Sequence, residues 1–270
     1  MRLCAIYNVW ADWDILEYSL KNVEPLVDGI IIVGSTKSNF GEIFPIPAHF
    51  LNRVVIREPQ FKQAADSERD KRNFGLELAR KEGYTHFLTI DSDEFYDPIE
   101  FLKGREMMLS DLNGLVVKCY TLFAKPTLTI GYDITLVPFI HKLTPTIRHD
   151  FNRNYPFAWQ GPQIRIDPTR SLNINSGVEL TDFTMFHASW VRSDFKRKIR
   201  NSTAKANLER STIWEDLVLA KDGYFVKFYQ KHLTTVPNRF NIPDYGDLDE
   251  DLQQHSTKSL AAANPKHKPS

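Results

Sequence analysis

Apolar positions along the chain come in short blocks whose period changes from one block to the next. Residues 3–7 are continuously apolar and predict a buried strand. Residues 13–23 carry Ile15, Leu16, Leu20 and Val23, the spacing of one helix face. "GIIIV" at 29–33 is β-branched and too short for a helix, so it predicts a second strand, and "RVVIRE" from Arg53 predicts a third. Residues 66–82 place Phe74, Leu78 and Ala79 on one face with charge elsewhere, which predicts a helix. Gly83 stands where a left-handed residue would end that helix. Residues 85–90 predict the next strand.

Strand and helix thus alternate over the first ninety or so residues. That order predicts an α/β fold with a mostly parallel sheet flanked by helices. In such sheets ligands bind beyond the carboxyl ends of the strands. After residue 113 the pattern changes. "GLVVKCYTLF" and "YDITLVPFIHKL" predict strands, and 144–175 is rich in Pro, Asn and aromatic residues and predicts irregular chain. "TMFHASW" predicts a short strand, 192–210 a basic helix, and 214–221 a helix stopped by Gly223. The expected organisation is a ligand-binding half at 1–113, a second half of the same domain at 114–246, and a polar tail at 247–270.

Composition narrows the picture little. The chain has 270 residues, with 34 basic and 34 acidic side chains, so no global field draws it to a polyanion. Any basic surface must be local. Cys4 and Cys119 are too few for a disulfide framework and wrongly spaced for a zinc knuckle. No apolar run approaches the length of a membrane span, and the first residues do not form a signal peptide. A cytoplasmic location is the expectation.

Charge patterning is more telling. "HFLTIDSDEFYDP" ends a hydrophobic strand in Asp91, Asp93 and Glu94, with Asp97 just beyond. These carboxylates repel one another, so the segment is either a solvated turn or the seat of a cation. Alternate carboxylates such as Asp91 and Asp93 can reach one hard ion, Mg²⁺ or Mn²⁺.

The stretch "KRNFGLELARKEGYTHFLTIDSDEF" resembles the core of family 2 and related glycosyltransferases of the GT-A fold. Arg72, Asn73 and Gly75 match the family's Arg-Asn-x-Gly helix start, and Asp91 and Asp93 match its D-x-D. "CAIYNVWADWDILEYSLKNVEPLVDGIIIVGS" is similar to the family's first strand, helix and second strand. The resemblance spans residues 1–97. It implies a GT-A (Rossmann-like) sheet with a C-terminal acceptor lobe, and a nucleoside-diphosphate sugar, with a UDP-sugar favoured, lying across the first strands. Tyr7, Asn8, Ser35, Arg72, Asn73 and Asp91 would contact that donor, and Asp91 and Asp93 would hold Mn²⁺ or Mg²⁺. One departure concerns the base: family members usually carry an acid after the second strand, where this chain has Gly34, Ser35 and Thr36. Uridine specificity is therefore in doubt.

The second half adds further candidates. His187 in "MFHASWVRSDF" falls in an H-x-S-W-V-R run similar to one in family relatives, which implies a third metal ligand. "TIWEDLVLAKDGYFVKFY" resembles the segment that carries the general base of inverting enzymes, which implies that role for Asp216 or Glu215. Acids in the first turn of a helix also meet its dipole favourably, so a purely structural reading stays open. Trp159 and Trp190 are candidate acceptor platforms, core packing being the alternative. Arg192, Lys196 and Arg200 share a helical stripe that fits either a solvated face or a polyanionic acceptor, such as modified phage DNA or lipopolysaccharide core.

The expected function is metal-dependent transfer of a hexose or pentose to a hydroxyl. Two rivals remain: a nucleotidyltransferase, which would usually show a Gly-rich, Lys-containing loop after the first strand, and a non-catalytic nucleotide-sugar or nucleic-acid-binding module.

Overall fold

The computed structural model describes residues 1–151, 154–157, 165–192, 194–202 and 212–245. The first elements follow the sequence pattern closely: β1 (Leu3–Val9), α1 (Trp13–Val23), β2 (Gly29–Gly34), β3 (Val54–Ile56), α2 (Ala64–Lys81) and β4 (His86–Asp91). Gly83 takes φ +74° after α2, the left-handed conformation that lets the chain turn back into β4.

β5 (Glu94–Tyr96) and α3 (Pro98–Met107) follow at once and break the expectation of a bare acidic turn. Asp97 starts α3 as its N-cap: its carboxylate accepts the amides of Ile99 and Glu100, and Pro98 supplies a helix-ready φ. Then come β6 (Gly114–Phe123), β7 (Lys125–Lys142), β8 (Arg165–Ile166), β9 (Val178–Trp190), α4 (Phe195–Asn201), α5 (Ile213–Val218), β10 (Phe225–Val226), β11 (Lys231–His232) and β12 (Thr234–Thr235). β9 is 13 residues long, and the short strand expected at "TMFHASW" is only its second half. Most of the expected basic helix beyond Asn201 lies outside the described residues.

The sheet order is β3-β2-β1-β4-β7-β6-β9-β5. β3, β2, β1 and β4 are mutually parallel, β7 joins β4 antiparallel, and β5 joins β9 antiparallel. The fold is thus the α/β arrangement expected, with a mixed sheet: beyond the four parallel strands, β8 joins β7 in parallel and β12 joins it antiparallel. The chain divides into two compact units, Met1–Thr121 with Tyr132–His187, and Leu122–Gly131 with Ala188–Ser270. Residues 114–121 and 132–187, expected in the second half, therefore pack with the first.

In the first unit two apolar layers sandwich the sheet. Alternation along β1 sends Leu3, Ala5, Tyr7 and Val9 to the layer containing α1, and Cys4 and Ile6 to the layer containing α2. The α2 layer is close: a Cβ on Gly75 would stand 2.3 Å from Ile6 Cγ2, so a glycine is needed where the helix crosses β1. On the other side α1 finishes the outer edge of β5. Asn22 Nδ2 donates to the Tyr96 carbonyl at 2.9 Å, and Asn22 Oδ1 accepts the Tyr96 amide at 2.8 Å. Ser19 Oγ donates to the Glu94 carbonyl at 2.7 Å. The second unit has its own core, including Phe123, Ile130, Trp190, Phe195, Ile213 and Leu217.

Candidate active site

The strand order reverses between β1 and β4: the chain leaves β1 for β2 on one side and later returns to β4 on the other. Such a switch point opens a crevice at the carboxyl ends of the strands. Asn8 and Asp91 are register partners there. Asn8 follows Cys4 and Ile6 on the α2 side of β1, and its Oδ1 is buried without a hydrogen-bond partner. The Trp10 indole nitrogen just beyond is buried in the same condition.

α2 supplies two cations to this crevice because its first turns overhang the strand ends. Its buried stripe runs Ser67, Lys71, Arg72, Gly75, Leu76 and Ala79. Arg72 is 2% exposed, and its Nη1 lies 3.3 Å from Asp91 Oδ1. Its Nε and Nη1 make no hydrogen bond. Lys71 is 5% exposed, and its Nζ reaches the Val9 carbonyl and Ser35 Oγ, both at 3.3 Å. Burial pushes the Lys71 amine down to about 8, against the pull of Glu68, while burial pushes the Glu68 carboxyl up to about 6.

Arg170 completes the cluster. Its Nη2 lies 2.5 Å from Asp91 Oδ2 and also meets Glu94 Oε1, and its Nη1 donates to Glu94 Oε2 at 3.1 Å. Burial alone would raise the Asp91 carboxyl, but Arg170 and Arg72 outweigh it and hold it well below its usual range. Glu94, more deeply buried than Asp91, shares Arg170 and faces Asp91, and burial with that repulsion raises it.

The turn bearing Arg170 is itself anchored. Asp167 Oδ1 accepts the Thr169 amide and hydroxyl, and the Arg170 carbonyl bonds His149 Nδ1 at 3.2 Å. His149 Nε2 meets Thr89 Oγ1 of β4 at 3.0 Å. Asn73 clasps the His149 backbone, donating to its carbonyl at 3.0 Å and accepting its amide at 2.7 Å.

Asp93 and His187 form a separate pair, with Asp93 Oδ1 3.7 Å from His187 Nε2. The antiparallel register of β5 and β9, with Glu94 opposite His187, brings them together. Ligand bonds of about 2.1 Å to Mg²⁺ would set two ligand atoms roughly 3–4 Å apart. The pair fits the edge of such an ion's shell. Among the described residues no group of three or more His, Cys, Asp or Glu side chains is arranged for a metal.

Several expectations need correction. Asp91 is held by two guanidiniums, Arg170 at Oδ2 and Arg72 3.3 Å from Oδ1, although that Oδ1 accepts no hydrogen bond, and among the described residues it is not arranged with Asp93 and His187 as a three-residue metal group. Glu94 is 2% exposed, so it is no part of a solvated turn. Tyr7 lies wholly in the α1 layer with its hydroxyl on Ser19 at 3.0 Å, so it is a core residue and not a pocket wall. Asn73 is a clamp on His149, and the Ser35 hydroxyl is fully buried under Lys71.

In the second unit, Trp190 is core: its Nε1 donates to the Tyr229 hydroxyl at 2.7 Å. Arg192 precedes α4 and is buried with Nε on the Ser189 carbonyl, so it does not share an exposed stripe with Lys196 and Arg200. Asp216 is fully buried and accepts four donors: the Lys227 amide at 3.0 Å, the Phe228 amide at 2.8 Å, and the Thr212 and Tyr224 hydroxyls at 3.1 and 3.2 Å. Such a carboxylate ties its own loop together and offers no lone pair to an acceptor. Glu215 is half-buried and paired to Lys227 at 2.9 Å. Trp159 lies outside the described residues.

No protein-family model matches the chain, and no curated protein matches it. Among solved structures, S. aureus TarS 1-349 aligns at 12% identity and TM-score 0.38, over 82% of this chain and 66% of that one. A nucleotide-diphospho-sugar transferase of Desulfovibrio desulfuricans G20 aligns at 12% identity and TM-score 0.38, over 77% and 95%. A glycosyltransferase involved in glycosylation of the major capsid of PBCV-1 aligns at 14% identity and TM-score 0.28, over 52% and 60%. The chain spans less than two thirds of the TarS and PBCV-1 chains.

Sequence reasoning missed Lys71, Arg170, Glu94 and His149. Lys71 was legible: it sits four and eight residues before Gly75 and Ala79, on the buried stripe of its helix. Arg170 had no local signal, since its partners are 76 and 79 residues away.

Proposed function

We propose that the chain is a glycosyltransferase that takes a sugar from a nucleoside-diphosphate donor and passes it to a hydroxyl. The observation that supports this most is Arg72, a buried guanidinium with two nitrogens lacking hydrogen-bond partners, aimed at the β1–β4 switch point. Buried polar groups without partners are rare in folded chains and mark a place completed by a ligand. A diphosphate suits a guanidinium, which binds phosphate oxygens in bidentate fashion.

In this reading Arg72 orients the diphosphate. Arg170 holds Asp91 and Glu94 in place, so that their charge does not repel the donor. Asp93 and His187 would hold Mn²⁺ or Mg²⁺, with the remaining positions left to phosphate and water. When bound, the ion would stabilise the charge that grows on the leaving diphosphate. A UDP-sugar is the favoured donor. An inverting course rested on Asp216 and is not carried forward. A polyanionic acceptor keeps Lys196 and Arg200 of α4 as its support. No helix among the described residues is long and apolar enough to cross a membrane, and we place the enzyme in the cytoplasm.

A thermal-shift screen of nucleotide sugars with and without Mn²⁺ tests the reading, because a ligand that binds only the folded state raises its melting temperature. Donor hydrolysis should require the ion. Asp93→Asn should lower it by about a hundredfold or more while the protein stays folded. Near-normal hydrolysis by Asp93→Asn would remove the metal role. No metal-dependent turnover with any common donor would remove the enzyme.

A further inference from the structure

Asp91 stands between two guanidiniums, and which of them holds it decides whether Arg72 is open to a ligand. Arg170 Nη2 grips Asp91 Oδ2 at 2.5 Å. Arg72 keeps one long bond to the same oxygen, from Nη2 at 3.4 Å, while its Nε and Nη1 bond nothing. Asp91 Oδ1 accepts no hydrogen bond and lies 3.3 Å from Arg72 Nη1. Were Arg170 to loosen, the carboxylate would turn to Arg72 and occupy the nitrogens that a diphosphate needs. One buried residue supports both guanidiniums. His149 is 3% exposed. Its backbone is clasped by Asn73, the residue after Arg72, through bonds of 3.0 and 2.7 Å. Its ring bonds the Arg170 carbonyl through Nδ1 at 3.2 Å and the hydroxyl of Thr89, two residues before Asp91 on β4, through Nε2 at 3.0 Å. A carbonyl only accepts, so the proton of the neutral ring sits on Nδ1, and Nε2 accepts from Thr89. Burial first, and then the charge of Arg72, keeps the ring neutral, as this pairing requires. A short ladder fixes the chain on either side: the Asp150 amide donates to the Ser171 carbonyl at 3.0 Å, and the Asn173 amide to the Arg148 carbonyl at 3.1 Å.

We infer that His149 is a positioning residue for anion binding: holding Arg170 through its ring and the chain beside Arg72 through its backbone, it assigns Asp91 to Arg170 and keeps Arg72 open. It touches no ligand itself. The group that matters is the Nδ1–H, because without it the buried Arg170 carbonyl is left unpaired and the residue must shift to find another donor. The inference rests on the diphosphate reading above and names what keeps that site available.

The test is calorimetric titration of inorganic pyrophosphate, with Mg²⁺ present, into the full chain well below its melting temperature. His149→Gln sets its amide near the place of Nε2 and gives up the Nδ1 donor; it should weaken binding at least about fivefold. His149→Asn sets an N–H near the place of Nδ1 and should recover most of that loss. In an Asp91→Asn background the competitor for Arg72 has lost its charge, so His149→Gln should cost less than about twofold there. A merely structural histidine would weaken binding equally in both backgrounds, and that result overturns the inference. Undiminished binding by His149→Gln overturns it too, as does a His149→Asn that falls as far as His149→Gln. Should His149→Gln not fold, Asn73→Ala opens the backbone clasp with the ring in place and carries the same expectation through the same two backgrounds. Absence of pyrophosphate binding in the wild type removes the diphosphate reading, and the role of His149 with it.

Discussion

Replacing Arg170 with methionine should destabilise the first unit in a manner that reverses with acid. Arg170 is the guanidinium shared by Asp91 and Glu94, and it is 4% exposed. At about 3 Å and an effective dielectric of about 20, each contact is worth roughly 5 kcal/mol before desolvation. Removing one partner of a buried pair leaves a net cost of about 3–5 kcal/mol. Asp91 keeps Arg72 at 3.3 Å, so the loss falls mainly on Glu94.

Glu94 is already raised by burial, and without Arg170 it rises further. A carboxyl raised in the folded state binds more protons folded than unfolded. Its contribution is therefore fully present below the unfolded value of 4.5 and lost as pH rises through the folded value. Urea unfolding followed by circular dichroism at pH 7.5 and pH 5 gives the difference between wild type and Arg170→Met at each pH. The expected difference is about 3–5 kcal/mol at the higher pH and distinctly smaller at the lower. A variant within about 1 kcal/mol of wild type at pH 7.5, or one whose deficit grows in acid, would refute the account of Arg170 as the charge that makes the two carboxylates tolerable.

Two further perturbations address other parts of the chain. Asp216→Asn should cost about 2–4 kcal/mol, because an amide cannot accept all four donors that now converge on the carboxylate; sugar transfer abolished in a fully stable Asp216→Asn would instead reinstate it as a base. His141, pushed down to about 4 by burial, and His149, pushed well below 6.5 by burial and Arg72, are both neutral in the fold. Each contributes stability that is present above pH 6.5 and lost as pH falls, at up to about 1.4 kcal/mol per pH unit per histidine; His149→Asn should flatten the stability–pH curve between pH 6.5 and 5, and an unchanged slope would show that burial of this ring does not set it.

The parallel half of the fold was legible because its signals are local. Residues 13–23, 29–33 and 66–82 each carry one unambiguous period, and the observed elements fall within two residues of the expected ones. β5 and α3 were hidden because the acids of 91–97 read as a turn, although Asp97-Pro98 is a helix start in its own right. The site was legible in its address and less so in its chemistry. The strand end at Asp91 pointed to the crevice, but the partners that decide what each carboxylate does come from distant chain. Asp91 and Glu94 are claimed by Arg170, and Asp216 by the amides of Lys227 and Phe228. Nothing in the spacing of acids along a chain distinguishes a carboxylate aimed at a ligand from one already saturated by its own loop.

The side chains of Ser19 and Asn22 have a consequence for the protein in concentrated solution. By bonding the outward carbonyls of Glu94 and Tyr96 and the outward amide of Tyr96, they stand in for a neighbouring strand. An unfinished sheet edge is a template on which another chain can grow. Here that template is closed at β5, beside the acids of the crevice. At the other end β3 pairs only with β2 among the described residues, and Val55 and Ile56 lie exposed. Along the main strand order of the described residues the open edge is therefore β3, at the far end from β5, and charged substitutions at Val55 and Ile56 are the place to blunt it.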